Sequence, residues 1–303
     1  MRIDIAICTW NRAAALQQTL HSMVAMNFPD SIDLRFLIVD NGSKDETQNV
    51  VNSFTNQLNL YLYLEPKRGH THARNRAIEH AKSDWLIWTD DDVQVTPDWL
   101  NAYVDAMRDP QGHTFFGGPI VPTFQPQPPA WIKDNWSKLK GCYAERQLGE
   151  NTFEFTAETL PYGANFAVQT SLQKRHLFDT QYGRKADGVV GEDELAMLRE
   201  LISNGHSGRW VPDASLFHVI GPDRQTMRYV HNYFVGQGRI LAAKGKPWTH
   251  DRLQLARESR WEGWCAKLKR PFASADTWVS HLIRSGLAEG QRQELARRIE
   301  TDS

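Results

Sequence analysis

Short apolar runs alternate with segments of helical periodicity through the first third of the chain. The apolar runs predict four buried strands, at Ile3 to Cys8, Leu34 to Val39, Leu60 to Leu64 and Trp85 to Thr89. A helix predicted between the first two strands places Leu16, Leu20, Met23 and Val24 on one face. Two further helices are predicted, from Thr71 to Lys82 and from near Pro97 to Met107. This alternation predicts an α/β fold in which helices cover a parallel sheet.

The pattern becomes less regular after the first third. Strands are predicted at Phe115 to Val121, Tyr162 to Gln169 and Trp210 to Val219, and the proline-rich stretch Pro122 to Trp131 predicts an ordered loop. A helix opens at Glu192-Asp193, carries an apolar side, and ends near Gly205. From Thr226 onward the chain is predicted to be helical, with a weak break at Lys246-Pro247.

Composition and charge narrow the class of protein. Hydrophobic residues make up 41% of the chain and charged residues 23%, which is typical of a folded globular protein. A net charge of -1 gives no electrostatic reason to expect nucleic acid as a partner. Cys8, Cys142 and Cys265 lie far apart, which indicates a reducing compartment. Because the sequence shows no signal-peptide pattern and no apolar stretch near the roughly 20 residues of a membrane span, we expect a cytoplasmic protein.

Three consecutive carboxylates, Asp90, Asp91 and Asp92, end the fourth predicted strand. Adjacent negative charges repel one another, and a divalent cation bound by hard oxygen ligands, magnesium or manganese, would remove that repulsion. Ligands of open α/β sheets bind where strands end, which favours a binding site here. The alternative is an acidic turn that caps the helix beginning near Pro97.

The first two strands also end in polar segments. Asp40 begins the segment Asp40-Asn41-Gly42-Ser43-Lys44-Asp45, and its carboxylate can accept a hydrogen bond from a pyrimidine imide, although Asn-Gly is equally suited to a plain turn. Thr9, Asn11 and Arg12 follow the first strand, where polar groups could hold a base or a phosphate. A helix cap by Thr9 or Asn11 is the alternative.

Three other segments carry candidate chemistry. Arg68 and Arg74 flank a glycine and two histidines and could meet a diphosphate, whereas zinc binding by the histidines lacks a partner at the required spacing. One carboxylate of Gly191-Glu192-Asp193-Glu194 could take a proton from an attacking hydroxyl, or these acids could simply favour the helix start. His218, near a strand end, is either a further metal ligand or a structural residue.

In their order along the chain, these segments resemble family 2 of the inverting glycosyltransferases, of the bacterial type, whose fold is GT-A. The resemblance covers roughly residues 1 to 240. The matching segments are Thr9-Trp10-Asn11-Arg12, Val39-Asp40-Asn41-Gly42-Ser43, Gly69 with Ala73-Arg74-Asn75-Arg76-Ala77, Thr89-Asp90-Asp91-Asp92-Val93, Gly117-Gly118-Pro119, Gly163-Ala164-Asn165-Phe166-Ala167, Gly191-Glu192-Asp193, and Val211-Pro212-Asp213 with His218. Agreement across many short segments makes the resemblance specific.

The resemblance implies roles for residues that would bind the donor. Asp40 resembles the carboxylate that reads the donor base, although Asn41 stands where many relatives have a second aspartate. Asp90 resembles the carboxylate near the ribose, Asp92 resembles the metal ligand of the Asp-x-Asp motif, and Asp91 could share either duty.

The remaining roles concern catalysis and the diphosphate. Asp193 resembles the catalytic base, with Glu192 beside it helping to bind the acceptor. Arg74 is expected near the diphosphate, and His218 stands where some members place an additional metal ligand.

The resemblance implies a GT-A (Rossmann-like) catalytic domain over residues 1–222, with a mixed central sheet, a donor half at about 1–120 and an acceptor half at about 121–222. A helical C-terminal extension would occupy residues 223–303. The implied function is metal-dependent, inverting transfer of a sugar from a nucleotide diphosphate sugar, with uridine as the expected base. A glycan or lipid-linked acceptor would receive it, as in polysaccharide biosynthesis. A sugar nucleotidyltransferase and a non-catalytic carbohydrate-binding relative are the alternatives.

The C-terminal part combines basic and aromatic residues. Arg252 to Arg270 contains six basic and two acidic residues, together with Trp261 and Trp264. This composition is typical either of peripheral contact with the inner membrane surface or of a solvated helix that packs on the rest of the protein.

Overall fold

The computed structural model describes residues 1–180, 193–245, 252–270 and 274–301, and these fall into two units. The first unit comprises the described residues of 1–123, 144–180 and 193–219. The second comprises the described residues of 124–143 and of the chain from 220 onward.

Ten strands form two sheets in the described part of the chain. They are β1 Arg2–Thr9, β2 Asp33–Asp40, β3 Leu60–Leu64, β4 Trp85–Asp90, β5 Val93–Val95, β6 Phe115–Gly117, β7 Ile120–Phe124, β8 Asn165–Gln169, β9 Gly208–Trp210 and β10 Leu216–Ile220. The main sheet has the order β3-β2-β1-β4-β8-β6-β9. Its first four strands are parallel, and β8 runs antiparallel to both β4 and β6. The sheet is therefore mixed, as the resemblance implies, and a second sheet has the order β5-β10-β7.

Eleven α-helices accompany the strands in the described ranges. They are α1 Ala13–Val24, α2 Thr47–Ser53, α3 His70–His80, α4 Trp99–Arg108, α5 Ala130–Lys133, α6 Trp136–Leu139, α7 Thr170–Gln173, α8 Asp193–Ser203, α9 Met227–Ala243, α10 Arg252–Lys269 and α11 Ala275–Thr301. None of the helices in these ranges has the length and apolarity needed to cross a bilayer.

The hydrophobic pattern places β1 to β4 and helices α1, α3, α4 and α8 correctly within a few residues. Three predictions from the middle of the chain are wrong. The strand predicted at 115–121 is β6 followed by the start of β7, which belong to different sheets because the chain leaves the main sheet at Gly118 and Pro119. The strand predicted at 210–219 is two strands in different sheets, because Pro212 and Asp213 lie in a turn in which Ala214 N donates to Val211 O. The loop predicted at 122–131 begins within β7 and ends within α5. The break predicted at Lys246-Pro247 lies outside the described residues.

Two apolar layers cover the main sheet. Ile3, Ile5 and Ile7 of β1 join one cluster together with residues of α1 and α4, whereas Ala6 joins another with residues of α3 and α8. This alternation follows from the two-residue period of a strand, which sends successive side chains to opposite faces.

Asp4 is a buried charge within the apolar alternation of β1. Its carboxylate accepts from Arg35 Nε and Nη2, at 2.8 and 2.7 Å, and from the backbone N–H groups of Lys82 and Ser83. Arg35 is its cross-strand neighbour on β2. Two charge-assisted bonds and two backbone bonds compensate the desolvation of the carboxylate, and they tie β1 and β2 to the segment that enters β4.

Asn165, at the start of β8, is fully buried and uses all of its hydrogen-bonding groups. Its Oδ1 accepts from Trp99 Nε1 and Tyr103 Oη, both at 2.9 Å. Its Nδ2 donates to Pro119 O at 2.9 Å and to Ala214 O at 2.7 Å. One side chain thus joins α4 to the segments that follow β6 and β9.

Gly118 is required by the same network. A Cβ on Gly118 would lie 2.0 Å from Ala214 O and 2.9 Å from Asn165 Nδ2. Gly118 and Asn165 thus take part in the same local contact, and both lie in segments that carry the family resemblance.

The second unit has its own core. Trp131 lies 5.4 Å from Trp278 between ring centroids, and Trp136 stacks on Tyr143 at 5.8 Å. Helices α9 and α11 approach closely because glycines face backbone across the contact. A Cβ on Gly238 would lie 2.2 Å from Leu287 O.

Replacing Asn165 by leucine, which has a similar shape and no polar atoms, should lower the free energy of unfolding by about 4 kcal/mol. The loss arises because two buried donors and two buried carbonyls lose their partner. Urea denaturation of Asn165→Leu and of the exposed control Asn204→Ala measures it. The control should change by less than about 0.5 kcal/mol, and an equally small change in Asn165→Leu would contradict the assigned role of the network.

Candidate functional site

The carboxyl ends of β1, β2 and β4 meet at one edge of the main sheet. Since β1 pairs in parallel with both neighbours, Thr9 lies opposite Asp40 and Cys8 lies opposite Asp90. The segments that follow these strands must therefore lie side by side. This is the place where open α/β sheets bind ligands.

The first two of these segments are tied together by hydrogen bonds. Asn11, with a φ of 51°, accepts from Lys44 N through its Oδ1 at 2.7 Å and donates its own N–H to Ser43 Oγ at 2.8 Å. Helix α1 is not capped by Thr9 or Asn11, which was the alternative for this segment. Instead Asp45 Oδ2 accepts from the N–H of Ala13 at 3.0 Å, so the cap comes from the neighbouring segment.

Asp40 is fully buried in the described structure. Its Oδ1 accepts from Ser43 N at 2.8 Å and its Oδ2 accepts from Gln48 Nε2 at 3.2 Å. The carboxylate therefore shapes the turn after β2. Recognition of a donor base by Asp40 stays a prediction, and it would require this side chain to become accessible.

Asn41 holds the segment that leads into α3. Its Nδ2 donates to Glu65 O at 2.9 Å and to Lys67 O at 2.8 Å, while its Oδ1 accepts from Gly69 N at 2.9 Å. An aspartate could not donate the first two bonds. The physical reason for asparagine at this position is therefore local support of residues 65–69, where Gly69 has a φ of 131°.

Arg12 supplies the positive charge opposite the three consecutive carboxylates Asp90, Asp91 and Asp92. Its Nη1 lies 2.7 Å from Asp91 Oδ1 and its Nη2 lies 2.7 Å from Asp92 Oδ2. Both aspartates are buried, and the Arg12 side chain is 35% exposed. Burial, opposed by Arg12 and reinforced by the charge of Asp92, raises the pKa of Asp91 to about 7. Asp90, the last residue of β4, is only partly buried.

The structure brings His218 and Asp92 together. His218 on β10 is paired with Val93 on β5, and Val219 N donates to Asp92 O at 2.8 Å. As a result His218 Nε2 lies 3.3 Å from Asp92 Oδ2, with both side chains buried. Two side chains far apart in sequence thus bring a carboxylate oxygen and an imidazole nitrogen, both atoms that can ligate a metal, to one point.

The donor set fits a divalent cation that is held jointly with a phosphorylated ligand. Among the described residues, no group of three or more histidine, cysteine or acidic side chains is arranged to hold a metal by itself. Magnesium in phosphate-binding sites uses one or two carboxylates and takes further ligands from substrate phosphates, and manganese also accepts imidazole. Asp92 and His218 meet that requirement. Because no such cluster of three ligands is found among the described residues, the structure gives no support to zinc binding by His70 and His72.

Arg74, on α3, anchors two acidic residues at the start of α8. Its Nη1 lies 3.1 Å from Asp193 Oδ2 and 3.2 Å from Glu194 Oε2. The guanidinium is buried, 5.0 Å from the centroid of the Phe178 ring. A Cβ on Gly163 would lie 2.4 Å from Arg74 Nη2, so this position admits only glycine without displacing the arginine. Arg74 therefore holds the carboxylates of Asp193 and Glu194 in position in this structure.

The two acids differ in their affinity for a proton. Burial acts to raise the pKa of Asp193, but the charges of Arg74 and His70 outweigh it and leave that pKa below its ordinary value. Burial raises the pKa of Glu194 to about 7, opposed by Arg74 and reinforced by Asp193. The pair can therefore carry one proton near neutral pH, on Glu194. Glu192 lies outside the described residues.

Sequence reasoning included Glu194 in the acidic segment but did not single it out. It assigned no role to Asp45 or to the stacking of Arg68 on the exposed ring of Trp10, where the guanidinium carbon lies 4.4 Å from the ring centroid. Glu194 directly follows Asp193, so a signal for it was present. The other two depend on contacts between separate loops, which local sequence patterns do not encode.

Residues 4–162 match the model of the family described as glycosyl transferase family 2, which is more than half of the chain. The chain belongs to glycosyl transferase family 2. The family inferred from the order of the sequence motifs is thereby confirmed.

Two relatives of this glycosyltransferase show how much of their length it matches. It is 27% identical over 203 residues to glucosyl-dolichyl phosphate glucuronosyltransferase of Haloferax volcanii, covering 64% of this chain and 61% of the relative. It is 30% identical over 136 residues to succinoglycan biosynthesis protein ExoM of Rhizobium meliloti, covering 44% of this chain and 43% of the relative. The matches thus span less than two thirds of these relatives.

Solved structures confirm the fold of the glycosyltransferase. A mannosyltransferase from Pyrobaculum calidifontis, in complex with GDP-Man and Mn2+, has a TM-score of 0.60 and 18% identity, covering 97% of this chain and 86% of that one. TarS 1-349 of S. aureus, in complex with UDP, has a TM-score of 0.57 and 16% identity, covering 99% and 92%. The predicted GT-A class with a mixed sheet and C-terminal helices is confirmed.

Glu194 should give the stability of the enzyme a measurable pH dependence. The folded protein keeps a proton on Glu194 up to about pH 7, whereas the unfolded chain loses it near the ordinary glutamate value. The unfolded state thus binds fewer protons in this window, and stability falls as pH rises through it. In Glu194→Gln the part of the decline that Glu194 contributes should disappear, while the part due to Asp91 remains. The free energy of unfolding above pH 7 should then exceed that of wild type by roughly 1–3 kcal/mol.

Urea denaturation between about pH 5 and pH 8 measures the effect. Glu79→Gln, which alters an exposed pair with Arg76 on α3, is the matched control and should change stability by less than about 1 kcal/mol. A Glu194→Gln profile that parallels wild type across the window would show that Glu194 titrates normally.

Proposed function

We propose that the protein transfers a sugar, with inversion, from a nucleoside diphosphate sugar to a hydroxyl of a glycan or lipid-linked acceptor, and that it requires manganese or magnesium. The observation that carries the proposal is the convergence of Arg12, Asp92 and His218 at the carboxyl edge of the parallel strands. A guanidinium, a carboxylate and an imidazole at one point suit a cation and a diphosphate together.

The donor class is supported by the contents of structures with the same fold. The mannosyltransferase was solved with GDP-Man and Mn2+, and TarS was solved with UDP and with UDP-GlcNAc. These neighbours differ in the base, and we propose uridine for this enzyme. For the acceptor, one relative is described as acting on a glucosyl-dolichyl phosphate, which supports a lipid-linked sugar. Family membership favours sugar transfer over the nucleotidyl transfer that was the enzymatic alternative.

In the proposed mechanism Asp92 and His218 would hold the divalent cation. When bound, the cation supplies positive charge that stabilises the departing diphosphate. Arg12, whose side chain is partly exposed beside Asp91 and Asp92, would contact a phosphate oxygen of the sugar donor. Thr9, Asn11, Asp40, Asp90 and Asp91 remain our candidates for contacts with the nucleoside. Arg74 acts indirectly, through the acids that it pairs with.

Asp193 is the proposed base. Its carboxylate stays ionised at neutral pH and is oriented by Arg74, so it can accept the proton of an acceptor hydroxyl as that oxygen attacks the anomeric carbon. A single displacement of this kind inverts the anomeric centre. Glu192 is proposed to help bind the acceptor.

Glu194 is the alternative base. Its pKa of about 7 matches the operating pH better than that of Asp193, and general bases work best when the two agree. Because both acids contact the same arginine, only substitution can separate them.

We also propose that different parts of the chain have the different functions that the sequence predicts. Residues of about 1–120 would form the donor half, residues of about 121–222 the acceptor half, and residues 223–303 a helical extension.

Nucleoside diphosphates should raise the melting temperature of the enzyme in the presence of Mn2+. A ligand at a hundred times its Kd adds about 2.7 kcal/mol of stability, which a thermal scan over UDP, GDP and TDP resolves. The Mn2+-dependent part should vanish in Asp92→Asn and persist in the exposed control Asp105→Asn. A shift of the same size without Mn2+, or in Asp92→Asn, would remove Asp92 from the metal site.

Turnover of the single variants should identify the base. We expect Asp193→Asn to lower kcat by a factor on the order of 10² to 10⁴, and Glu194→Gln to stay within about tenfold of wild type. Mn2+-dependent stabilisation by nucleoside diphosphate should be retained in both, which separates loss of chemistry from loss of binding. The reverse order of the two kcat values would make Glu194 the base.

A further inference from the structure

Helix α10 in the second unit has one face covered by α11. Glu262 on this face contacts His281 and Arg284 of α11, and Ser285 Oγ of α11 donates to Ser259 O at 2.9 Å. The apolar residues on the covered side, Leu255, Cys265 and Ala266, are buried. The orientation of α10 is therefore fixed by polar and apolar contacts together.

The opposite side of α10 exposes four large apolar side chains. Leu253 is 72% exposed, Trp261 60%, Trp264 57% and Leu268 49%. At 3.6 residues per turn these positions fall within an arc of roughly 80°. The two indole rings lie 5.9 Å apart between centroids. We call these four residues the Trp face.

Exposed basic residues lie within and beside this arc. Arg257, Arg260 and Lys267 are exposed on the same side of the helix. The acidic residues of α10, Glu258 and Glu262, are only partly exposed and lie away from the Trp face. Among the described residues of α10, therefore, the exposed side combines apolar groups with positive charge and carries no negative charge.

We propose that the Trp face is a docking surface for an anionic phospholipid bilayer. Indole rings are apolar with one polar N–H and are favoured at the boundary between headgroups and acyl chains. Leucines beside them can enter the same boundary, while the neighbouring arginines and lysine reach the anionic headgroups. A helix lying in the interface plane binds through this combination.

Charge decides between a bilayer and a second copy of the chain as the occupant. In a two-fold dimer the same patch meets itself, so Arg257, Arg260 and Lys267 would face their own copies, and the like charges would oppose association. An anionic bilayer offers the opposite charge over the whole area. Each basic residue near such a surface contributes about 1 kcal/mol. The inference depends on neither the proposed donor nor the proposed base.

Flotation of the full-length protein with lipid vesicles tests the proposal. Vesicles of phosphatidylcholine are compared with vesicles that also contain phosphatidylglycerol as the anionic lipid, at low and high salt. The variants are Trp261→Ala with Trp264→Ala, and Arg257→Gln with Arg260→Gln and Lys267→Gln. The matched control is Phe28→Ala with Leu177→Ala, which removes two comparably exposed apolar side chains, 48% and 56% exposed, from the first unit.

We expect wild type to bind the anionic vesicles, and to bind them less at high salt. The double variant Trp261→Ala with Trp264→Ala should lower the partition coefficient between anionic vesicles and water by at least about tenfold, because it buries less apolar surface in the bilayer. The basic triple variant should lower it by a factor on the order of 100. The control should bind as wild type does, and thermal scans should show all variants folded, since each altered side chain is exposed.

Several outcomes would overturn the proposal. They are absence of binding to anionic vesicles, equal binding to neutral vesicles, and tryptophan variants that bind as wild type does. Sedimentation velocity tests the last such outcome. If wild type does not bind vesicles but forms a dimer, and the double variant Trp261→Ala with Trp264→Ala is a monomer, the occupant of the Trp face would be a second copy of the chain.

Discussion

Three groups of buried acidic residues in the described part of the first unit are each paired with an arginine, and the arrangement of the candidate site depends on these pairs. Asp4 is held by Arg35, Asp91 and Asp92 by Arg12, and the acids that begin α8 by Arg74. An unpaired carboxylate in the same surroundings would be costly, and removal of one partner from a buried pair typically costs about 3–5 kcal/mol. The arginines come from β2, from the segment after β1 and from α3, so neutralisation of charge also joins separate parts of the chain.

The two arginines near the proposed site act differently. Arg74 is buried among aromatic rings and held at a position where Gly163 leaves it room, so it is a fixed part of the scaffold. Arg12 is partly exposed and occupies a place beside donor atoms that suit a cation. In the mechanism that we propose, the first would orient acids for proton transfer and the second would face the phosphates of the sugar donor.

Local sequence pattern predicted those parts of the fold that depend on local contacts. The first four strands are short apolar runs that end in polar segments, and α8 shows clear helical periodicity, so both were found. The split between β9 and β10 was missed because the turn at Pro212 and Asp213 lies between apolar residues, Trp210 and Val211 on one side and Leu216 and Phe217 on the other. The order of short motifs identified the family and the candidate residues. It did not reveal that Arg12 pairs with Asp91 and Asp92, or that Asn165 joins four partners, because such contacts form only when distant segments meet.

The pairing of Arg12 with the carboxylate run bears on how the protein matures. A protein whose acidic cluster can be neutralised only by a metal folds when the metal is present, and chelation unfolds it. Here the chain carries its own counter-charge for Asp91 and Asp92, so neutralising these carboxylates does not require a metal. Given the metal requirement that we propose, the protein would stay folded but inactive when the metal is scarce. It would regain activity when the ion returned, without new synthesis.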